Sequence, residues 1–266
     1  SLSSMAPLAH TLALLAMTVA TTAIEVLPLN MAPDSFDDLY RGCRYDMMAA
    51  LPALNRSEFQ KNRLFAGVWV KATAAWQKKG SRVSPLSSPE QAIALMAYSM
   101  RGLYKEFNAA VRVAGRSRQE YRDHFHFKVL HFLLTDALVT LRAVQGQMCR
   151  YVFRGVRGIW FTAKRGDTVR FSQFTSTSLS RDVAHRFGND TVFQVRACHG
   201  ADIQDFSRYP NEREVLIPPF ETFKVTNVIQ DGKGARIHLS STGTHSNYNC
   251  EWLRGDVTEG TNWGHG

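Results

Sequence analysis

The spacing of apolar residues changes near Cys149, and this change restricts the folds that the chain can adopt. From residue 34 to about residue 147, apolar residues recur at helical spacing. From residue 149 to about residue 252, short runs of β-branched and aromatic residues alternate with turn residues. Helices followed by strands predict an α+β fold, with a helical N-terminal part and a mixed, mainly antiparallel two-sheet β core.

The same patterns predict individual elements. One helix is expected to begin after Asp34, and another after Ser88, where Pro89 occupies the first turn. The predicted helices also include 59–79 and 125–144, and the helix after Ser88 is expected to reach residue 103. The predicted strands are 151–153, 168–171, 191–195, 215–217, 222–225 and 235–239. Because strands and helices do not alternate and no G-x-G-x-x-G motif is present, a doubly wound dinucleotide-binding fold is excluded.

The N-terminal segment is typical of a secretory signal. Residues 8–23 are apolar or small, too few for a comfortable membrane span, and end in small residues. We therefore expect 1–23 to be a signal peptide with a short extension, and 24–266 to be a single domain with no transmembrane segment; for the apolar segment, a buried core helix is the alternative. Sequons at Asn55 and Asn189 and a polar C-terminus favour a soluble, glycosylated, secreted product, exported directly or through secretory granules.

The cysteines agree with export. The chain has four, Cys43, Cys149, Cys198 and Cys250, and none forms a C-x-x-C pair, so neither a structural zinc site nor another metal is expected. An even number in an exported chain predicts two disulfides, and the residues alone leave three ways of pairing them.

The charge of the chain favours anionic partners. The formal net charge is +9, which suits a nucleic acid, a small molecule bearing phosphates or an acidic cell surface. The basic residues are dispersed, and no nucleic-acid-binding motif is found, so sequence-specific nucleic-acid recognition is not expected. The absence of a heptad pattern or an apolar stripe predicts a monomer.

Two short polar motifs in the β-rich half have the composition of a ligand site. Arg154, followed by Gly155, pairs a guanidinium that suits phosphate oxygens with a backbone that a ligand can approach closely. The run Thr175-Ser176-Thr177-Ser178 follows an aromatic residue and is interpreted either as an exposed edge or as a hydrogen-bonding array. No G-x-S-x-G motif surrounds it, so a serine hydrolase is not expected.

A third polar motif, Glu212-Arg213-Glu214, precedes the apolar run Val215-Leu216-Ile217, which Pro218-Pro219 ends. On a strand the two glutamates would share one face, with Arg213 on the other. Two adjacent carboxylates at the start of a buried strand are costly unless something uses them. The alternative is an exposed strand start with solvated glutamates.

In this order the three motifs resemble those of the vertebrate secreted and surface-anchored mono-ADP-ribosyltransferases, relatives of the cholera-type toxins. That family combines an arginine, a Ser-x-Ser motif after an aromatic strand, and an E-x-E motif. The resemblance extends from Phe36 to Cys250 and includes all four cysteines. It implies the ADP-ribosyltransferase fold and the disulfide pairs Cys43–Cys250 and Cys149–Cys198.

The resemblance also implies a reaction. NAD, with NADP left open, is the co-substrate; its nicotinamide–ribose bond is broken, and ADP-ribose passes to arginine side chains of extracellular or cell-surface proteins. Glu214 would stabilise the positive charge that develops on the ribose, and Glu212 would hold and deprotonate the acceptor arginine. Relatives without the first glutamate tend to hydrolyse NAD, so Glu212 favours transfer.

Further residues acquire roles by the same resemblance. Arg154 would contact the NAD phosphates, the backbone of Gly155 the nicotinamide amide, and Ser176 would orient Glu214 and the ribose. Further implied NAD contacts are Tyr98, Gln173, Phe187 and Ser207. A core aromatic is the alternative for Phe187, and ordinary helix and loop positions are the alternatives for Tyr98 and Ser207.

Three other functions compete with arginine transfer. Two keep the same fold: a secreted NAD glycohydrolase, in which water is the acceptor, and a catalytically silent binding module. The intact set of Arg154, Ser176 and Glu214 weighs against a silent module. A secreted nucleic-acid-binding protein or nuclease fits the positive charge, but no catalytic histidine pair or metal cluster is recognised in the sequence.

Overall fold

The structure of the chain, a computed structural model, describes residues 23–255. The predicted signal peptide, except for its last residue, and the C-terminal end from residue 256 onward lie outside this range. None of the helices within residues 23–255 is both long and apolar enough to cross a membrane.

Seven α-helices are described, and six of them precede the main run of strands. This order agrees with the predicted α+β fold. They are α1 Arg44–Lys61, α2 Arg63–Lys78, α3 Pro89–Ser99, α4 Leu103–Ala114, α5 Arg118–His124, α6 Lys128–Val144 and α7 Arg181–Arg186. The start of α3 is confirmed, because the Ser88 side chain accepts a hydrogen bond from the Gln91 N–H.

Four of the helix predictions are wrong in whole or in part. No helix follows Asp34; residues 34–43 are irregular. The predicted helix 59–79 is interrupted at Asn62, whose side chain caps α2 by accepting the Phe65 N–H. The helix after Ser88 ends at Ser99, before Gly102 with its positive φ of 103°. The predicted helix 125–144 begins three residues later than expected, at Lys128.

Ten strands are described. They are β1 Glu25–Pro28, β2 Arg150–Val156, β3 Ile159–Thr162, β4 Thr168–Arg170, β5 Thr175–Ser178, β6 Thr191–Ala197, β7 Ala201–Asp202, β8 Glu214–Ile217, β9 Glu221–Asp231 and β10 Gly234–Thr244. All six predicted strands are confirmed; β1, β3, β5 and β7 were not predicted.

The strands form two sheets. Eight of them follow the order β4-β9-β10-β6-β2-β5-β8-β7, in which only β6 and β10 pair in parallel, and β1 pairs with β3 in a separate parallel sheet. The link between β2 and β5 is a single residue pair, Phe153 with Ser178. The eight-stranded sheet therefore opens at this point, with Arg154 next to the opening.

Two apolar cores flank this arrangement. The larger one joins the helices to residues such as Phe174 and Leu216 of the β5 and β8 region, and the smaller one lies among β2, β4, β6, β8, β9 and β10. The disulfides Cys43–Cys250 and Cys149–Cys198, the pairs that the family resemblance implied, are both present. The first closes a long loop, which the chain-entropy view associates with substantial stabilisation.

A buried ion pair also ties distant segments together. The Asp37 carboxylate lies 2.5 Å from Nη1 of Arg170, and neither side chain is exposed. Arg170 also donates to the carbonyls of Met31, Ala32 and His245. The N-terminal segment, β4 and the C-terminal loop thus meet at one charged group.

Candidate active site

One cavity of about 460 Å³ lies between the helical part and the opening of the sheet. Helices α3 and α4 form one wall, and β2, β5, α7 and the start of β8 form the other. The residues from the three polar motifs that line it are Arg154, Gly155, Ser176, Thr177, Ser178, Glu212 and Glu214. The structure therefore brings all three motifs to one place.

Glu214 is the most buried carboxylate of the cavity. It is the first residue of β8, pairs with Ser178 of β5 and has only 6% of its surface exposed. Burial raises the pKa of Glu214 to about 7; the Ser176 hydroxyl opposes this rise as a hydrogen-bond partner, Glu212 adds to it, and Arg154 opposes it. The ionised form of a carboxyl group buried in this way is stabilised by any positive charge that approaches it.

The hydroxyl run was expected to follow a strand; instead, Thr175–Ser178 is itself strand β5. Two of its hydroxyls hold β8 and the residues before it: Thr177 donates to the Val215 carbonyl at 2.6 Å, and Ser178 donates to the Glu212 carbonyl at 2.7 Å. Ser176 is half-buried and lines the cavity. The run thus has both a structural and a ligand-facing part.

The prediction that Glu212 and Glu214 share one face of a strand is wrong. Glu212 ends a 3₁₀ turn, Pro210–Glu212, and β8 begins only at Glu214. Between them Arg213 adopts the left-handed conformation (φ 47°, ψ 49°) and is exposed to solvent. A left-handed residue reverses the chain locally, so the turn, rather than strand alternation, brings both carboxylates to the cavity.

The two glutamates lie in different surroundings. Glu212 is partly exposed, whereas Glu214 is buried. Burial raises the pKa of Glu212, and the guanidinium of Arg101 opposes this rise. The alternative of two equally solvated glutamates therefore does not describe the site.

Arg154 and Gly155 occupy the sheet opening in β2. Arg154 donates from Nη1 to the Ser176 carbonyl at 2.8 Å, which fixes its guanidinium across the gap between β2 and β5. A Cβ atom at Gly155 would overlap the carbonyl oxygens of Ala184 and Gly188. The glycine is therefore required by the close approach of α7 to β2, a packing reason that the sequence did not disclose.

The remaining predicted NAD contacts separate into two groups. Tyr98, Gln173 and Phe187 line the cavity, and Phe187 is 54% exposed, so the core-aromatic alternative is wrong. Ser207 is fully buried and is not part of the lining; its hydroxyl accepts the Tyr209 N–H at 3.0 Å. A contact between Ser207 and NAD stays a prediction that this geometry does not support.

Sequence reasoning assigned no role to several further polar and aromatic residues of the lining. Among them are Arg101, Tyr104, Lys105, Asn108, Arg157 and Tyr209. Most come from α4 and from the loop before it, where no local motif marks them. Three are exposed cations, and the Arg101 guanidinium lies 5.6 Å from the centre of the Tyr209 ring. With Arg154 they make the cavity a basic site beside a carboxylate pair.

This set of groups fits a dinucleotide with a diphosphate. Guanidinium and ammonium groups suit phosphate oxygens, an exposed aromatic ring suits a flat heterocycle, and a buried carboxylate suits ribose hydroxyls. Within residues 23–255, no group of three or more acidic, histidine or cysteine side chains is placed to hold a metal ion.

Comparisons with known proteins agree with this geometry. The profile of the family described as "ART: NAD:arginine ADP-ribosyltransferase" matches residues 29–247. NAD(P)(+)–arginine ADP-ribosyltransferase 2 of Gallus gallus is 53% identical over 241 residues, which cover 90% of this chain and 76% of that protein. GPI-linked NAD(P)(+)–arginine ADP-ribosyltransferase 1 of Mus musculus is 50% identical over 239 residues, covering 85% and 74%.

A solved structure is also similar. It is a mutant of the eukaryotic mono-ADP-ribosyltransferase ART2.2 in complex with NAD, with a TM-score of 0.73, 34% identity, and coverage of 84% of this chain and 98% of that one. The fold is thus the ADP-ribosyltransferase fold, as the motifs implied. The chain belongs to the NAD:arginine ADP-ribosyltransferase family.

Proposed function

We propose that this protein is an NAD-dependent mono-ADP-ribosyltransferase that transfers ADP-ribose from NAD to arginine side chains and releases nicotinamide. The observation that carries this proposal is the unequal pair of carboxylates at one basic cavity. Glu214 is buried beside Ser176, and Glu212 is more exposed and lies near Arg101. Two carboxylates in different surroundings are suited to two different tasks.

Glu214 is assigned to cleavage of the nicotinamide–ribose bond. When this bond breaks, positive charge develops on the ribose, as in glycoside chemistry. The ionised carboxylate of Glu214 stabilises that charge more strongly than it stabilises the ground state, since it is buried and already oriented. Ser176 orients this carboxylate from β5, and Arg154 counters its charge from β2.

Glu212 is assigned to the acceptor. Its position at a partly exposed turn allows an arginine side chain to reach it from solvent, and a carboxylate can grip a guanidinium with paired hydrogen bonds. As a general base, Glu212 removes a proton from the guanidinium as its nitrogen attacks the ribose carbon. The burial that raises its pKa makes it a better base than a solvated glutamate.

The other lining residues bind and orient NAD. We propose that Arg154 contacts the diphosphate; Arg101, Lys105 and Arg157 are further cations of the same lining. Phe187, exposed at the cavity, offers a ring for stacking on nicotinamide. We propose the same binding role for Tyr98 and Gln173, and we assign none to Ser207. NADP is kept as a second co-substrate because the named relatives are NAD(P) enzymes.

We further propose that the targets are arginine-containing extracellular or cell-surface proteins. Two disulfides suit an oxidising compartment, and a relative is named as GPI-linked. A secreted, monomeric product consisting of one catalytic domain, 24–266, is the form that we favour. A cleavage site near Ala23, found by N-terminal sequencing of the protein released from expressing cells, is the expected result; protein retained on the cells by a lipid anchor would contradict it.

The direct test of the reaction uses labelled NAD and agmatine, a small guanidine. We expect purified protein to place the label on agmatine and to release nicotinamide in equal amount. Release of nicotinamide with only free ADP-ribose would instead identify an NAD glycohydrolase, the second candidate. No consumption of NAD would support a silent binding module, which the basic cavity and the intact carboxylate pair disfavour.

A further inference from the structure

Two exposed arginines, Arg101 and Arg208, lie beside the residue that begins the Glu212 turn. Each guanidinium is 5.6 Å from the centre of the Tyr209 ring. Tyr209 directly precedes the 3₁₀ turn Pro210–Glu212, and Tyr209, Arg101 and Glu212 all line the cavity. Arg208 is not part of the lining, so it lies at the rim of the cavity, next to a ring that is.

The two arginines belong to segments that are fastened to each other. The Arg208 N–H donates to the hydroxyl oxygen of Ser99, the last residue of α3, at 2.8 Å. Lys79, which follows α2, donates from Nζ to the Ser207 carbonyl at 2.9 Å. The loop that carries Arg208 is therefore held against the helical part, from which Arg101 projects just after α3.

This edge of the cavity has more positive than negative charge. Within residues 23–255, neither Arg101 nor Arg208 forms an ion pair, and the neighbouring Asp205 already pairs with Arg82 at 3.1 Å. Burial lowers the pKa of Lys79; Asp205 opposes this shift, and Arg208 and Arg82 add to it. The cations are thus close enough to act on one another, and one aspartate does not balance them.

Arrival of the acceptor increases this imbalance. Arg101 is close enough to act on Glu212, since its charge opposes the rise in the pKa of Glu212. In the proposed function a target guanidinium pairs with Glu212, and it therefore takes up this negative charge and places a further cation beside Arg101. Because like charges at short range repel, an acidic side chain brought by the target would stabilise the complex.

We propose that Arg101 and Arg208 select the acceptor: they pair with acidic side chains next to the target arginine, so that arginines in acidic surroundings are preferred. The macromolecule that must approach this edge is the one whose arginine reaches Glu212, which is why the partner of the two cations is expected on the target protein. This inference rests on the proposed function and names the class of its protein substrates.

The test compares three peptides that each contain one arginine, flanked on both sides by aspartate, by alanine or by lysine. Transfer from NAD is followed by mass spectrometry, and kcat/KM is obtained for each peptide at low ionic strength. We expect the aspartate-flanked peptide to be modified about three to ten times more efficiently than the alanine-flanked one, as one or two exposed ion pairs allow. The lysine-flanked peptide should be the poorest substrate, and added salt should reduce these differences.

Two variants assign the preference to these arginines. Arg208→Glu reverses the charge at the rim and should make the lysine-flanked peptide a better substrate than the aspartate-flanked one. Arg101→Gln should reduce the preference for aspartate about threefold. The two charged peptides are compared within each variant, so a general loss of activity cancels. Arg63→Glu makes the same change in net charge at the exposed first residue of α2, the end of that helix away from Lys79, and should keep the preference.

Equal efficiency for the three peptides would overturn the proposal, and so would a preference that survives both Arg208→Glu and Arg101→Gln. A higher KM for NAD in these variants, with the ratio of the two charged peptides unchanged, would also overturn it, because the arginines would then bind the co-substrate. Failure of the proposed function looks different: NAD would be consumed without modification of any peptide, or would not be consumed.

Discussion

Two buried carboxylates, Asp37 and Glu214, differ in how many hydrogen-bond partners surround them. Asp37 is fully buried, and its oxygens lie within hydrogen-bonding distance of Arg170 and of the backbone N–H groups of Asn247 and Tyr248. Glu214 is almost as buried, but within residues 23–255 Ser176 is the one side chain whose hydrogen bonding lowers its pKa, and Glu214 lines a cavity. A carboxylate with all its partners holds segments together, whereas one with few partners is available to a ligand.

Burial and a raised pKa do not identify the functional group by themselves. Burial also raises the pKa of Glu58 and of Glu221 to about 7, yet neither lines the cavity. Glu58 accepts the N–H groups of Lys128 and Val129 and so caps α6. What distinguishes Glu214 is the open space in front of it together with the second carboxylate nearby.

The largest expected effect comes from Glu214→Gln. The neutral amide has nearly the same shape but cannot stabilise positive charge on the ribose, so nicotinamide release should fall about a thousandfold. Nicotinamide is quantified by chromatography after incubation with NAD, and circular dichroism checks that the protein remains folded. A loss smaller than about tenfold would show that Glu214 does not carry the cleavage step.

The matched change at the other carboxylate, Asp37→Asn, should act on stability instead. It removes the charge that pairs with the buried Arg170, and breaking a buried pair in this way costs about 3–5 kcal/mol. Urea unfolding with the disulfides intact measures this loss. If Asp37→Asn left the free energy of unfolding unchanged, the contrast between a structural and a catalytic carboxylate would fail.

Glu212→Gln should separate the two steps of the reaction. Loss of the general base is expected to lower ADP-ribose transfer to agmatine about a hundredfold. Nicotinamide release should remain within about tenfold of the original, because Glu214 and its neighbours are unchanged. The ratio of labelled agmatine to free ADP-ribose measures the split, and Arg213→Gln, at the exposed neighbour, serves as a control that keeps transfer.

The smallest effect is on the pH dependence of stability. The pKa of Glu214 is about 7 in the folded protein, above its ordinary value of 4.5, so the folded state binds the proton more tightly than the unfolded state does. The contribution of Glu214 to stability is therefore fully present below pH 4.5 and is lost as the pH rises to about 7.

Over this pH range the unsubstituted protein should lose on the order of 1–3 kcal/mol relative to Glu214→Gln. Urea unfolding of both proteins at several pH values measures the difference. If the free energy of unfolding changed with pH equally in the two proteins, the pKa of Glu214 would be the same in the folded and unfolded states, which would contradict the prediction. The activity should change in the opposite direction and rise towards pH 7 as Glu214 ionises.

The sequence predicted the fold class well where the signal was local. The six predicted runs of β-formers became strands, and Ser88-Pro89 started a helix, because neighbouring residues favour both features. The unpredicted strands are two to four residues long and depend on distant partners, as β1 depends on β3. The helix expected after Asp34 does not form, because Asp37 and Asp38 bind backbone groups near residue 250 instead.

In the candidate site, too, some features were predictable from the sequence and others were not. The residue types in the motifs around Arg154, Ser176 and Glu214 were enough to predict an NAD site and the family. The left-handed turn at Arg213 was not predictable. Two glutamates separated by one residue fit the start of a strand and a turn before a strand equally well. The burial of Ser207 away from the cavity lining was not predictable either.

The sequence by itself thus determined the chemistry of this protein: a guanidinium, a hydroxyl run and two carboxylates in a chain that divides into helices and strands. Tertiary structure alone decided how those groups are used. The wall formed by α3 and α4 brings Tyr98 and Asn108 to β5, which is more than sixty residues away along the chain. Such contacts depend on the packing of whole elements, which no local pattern of residues records.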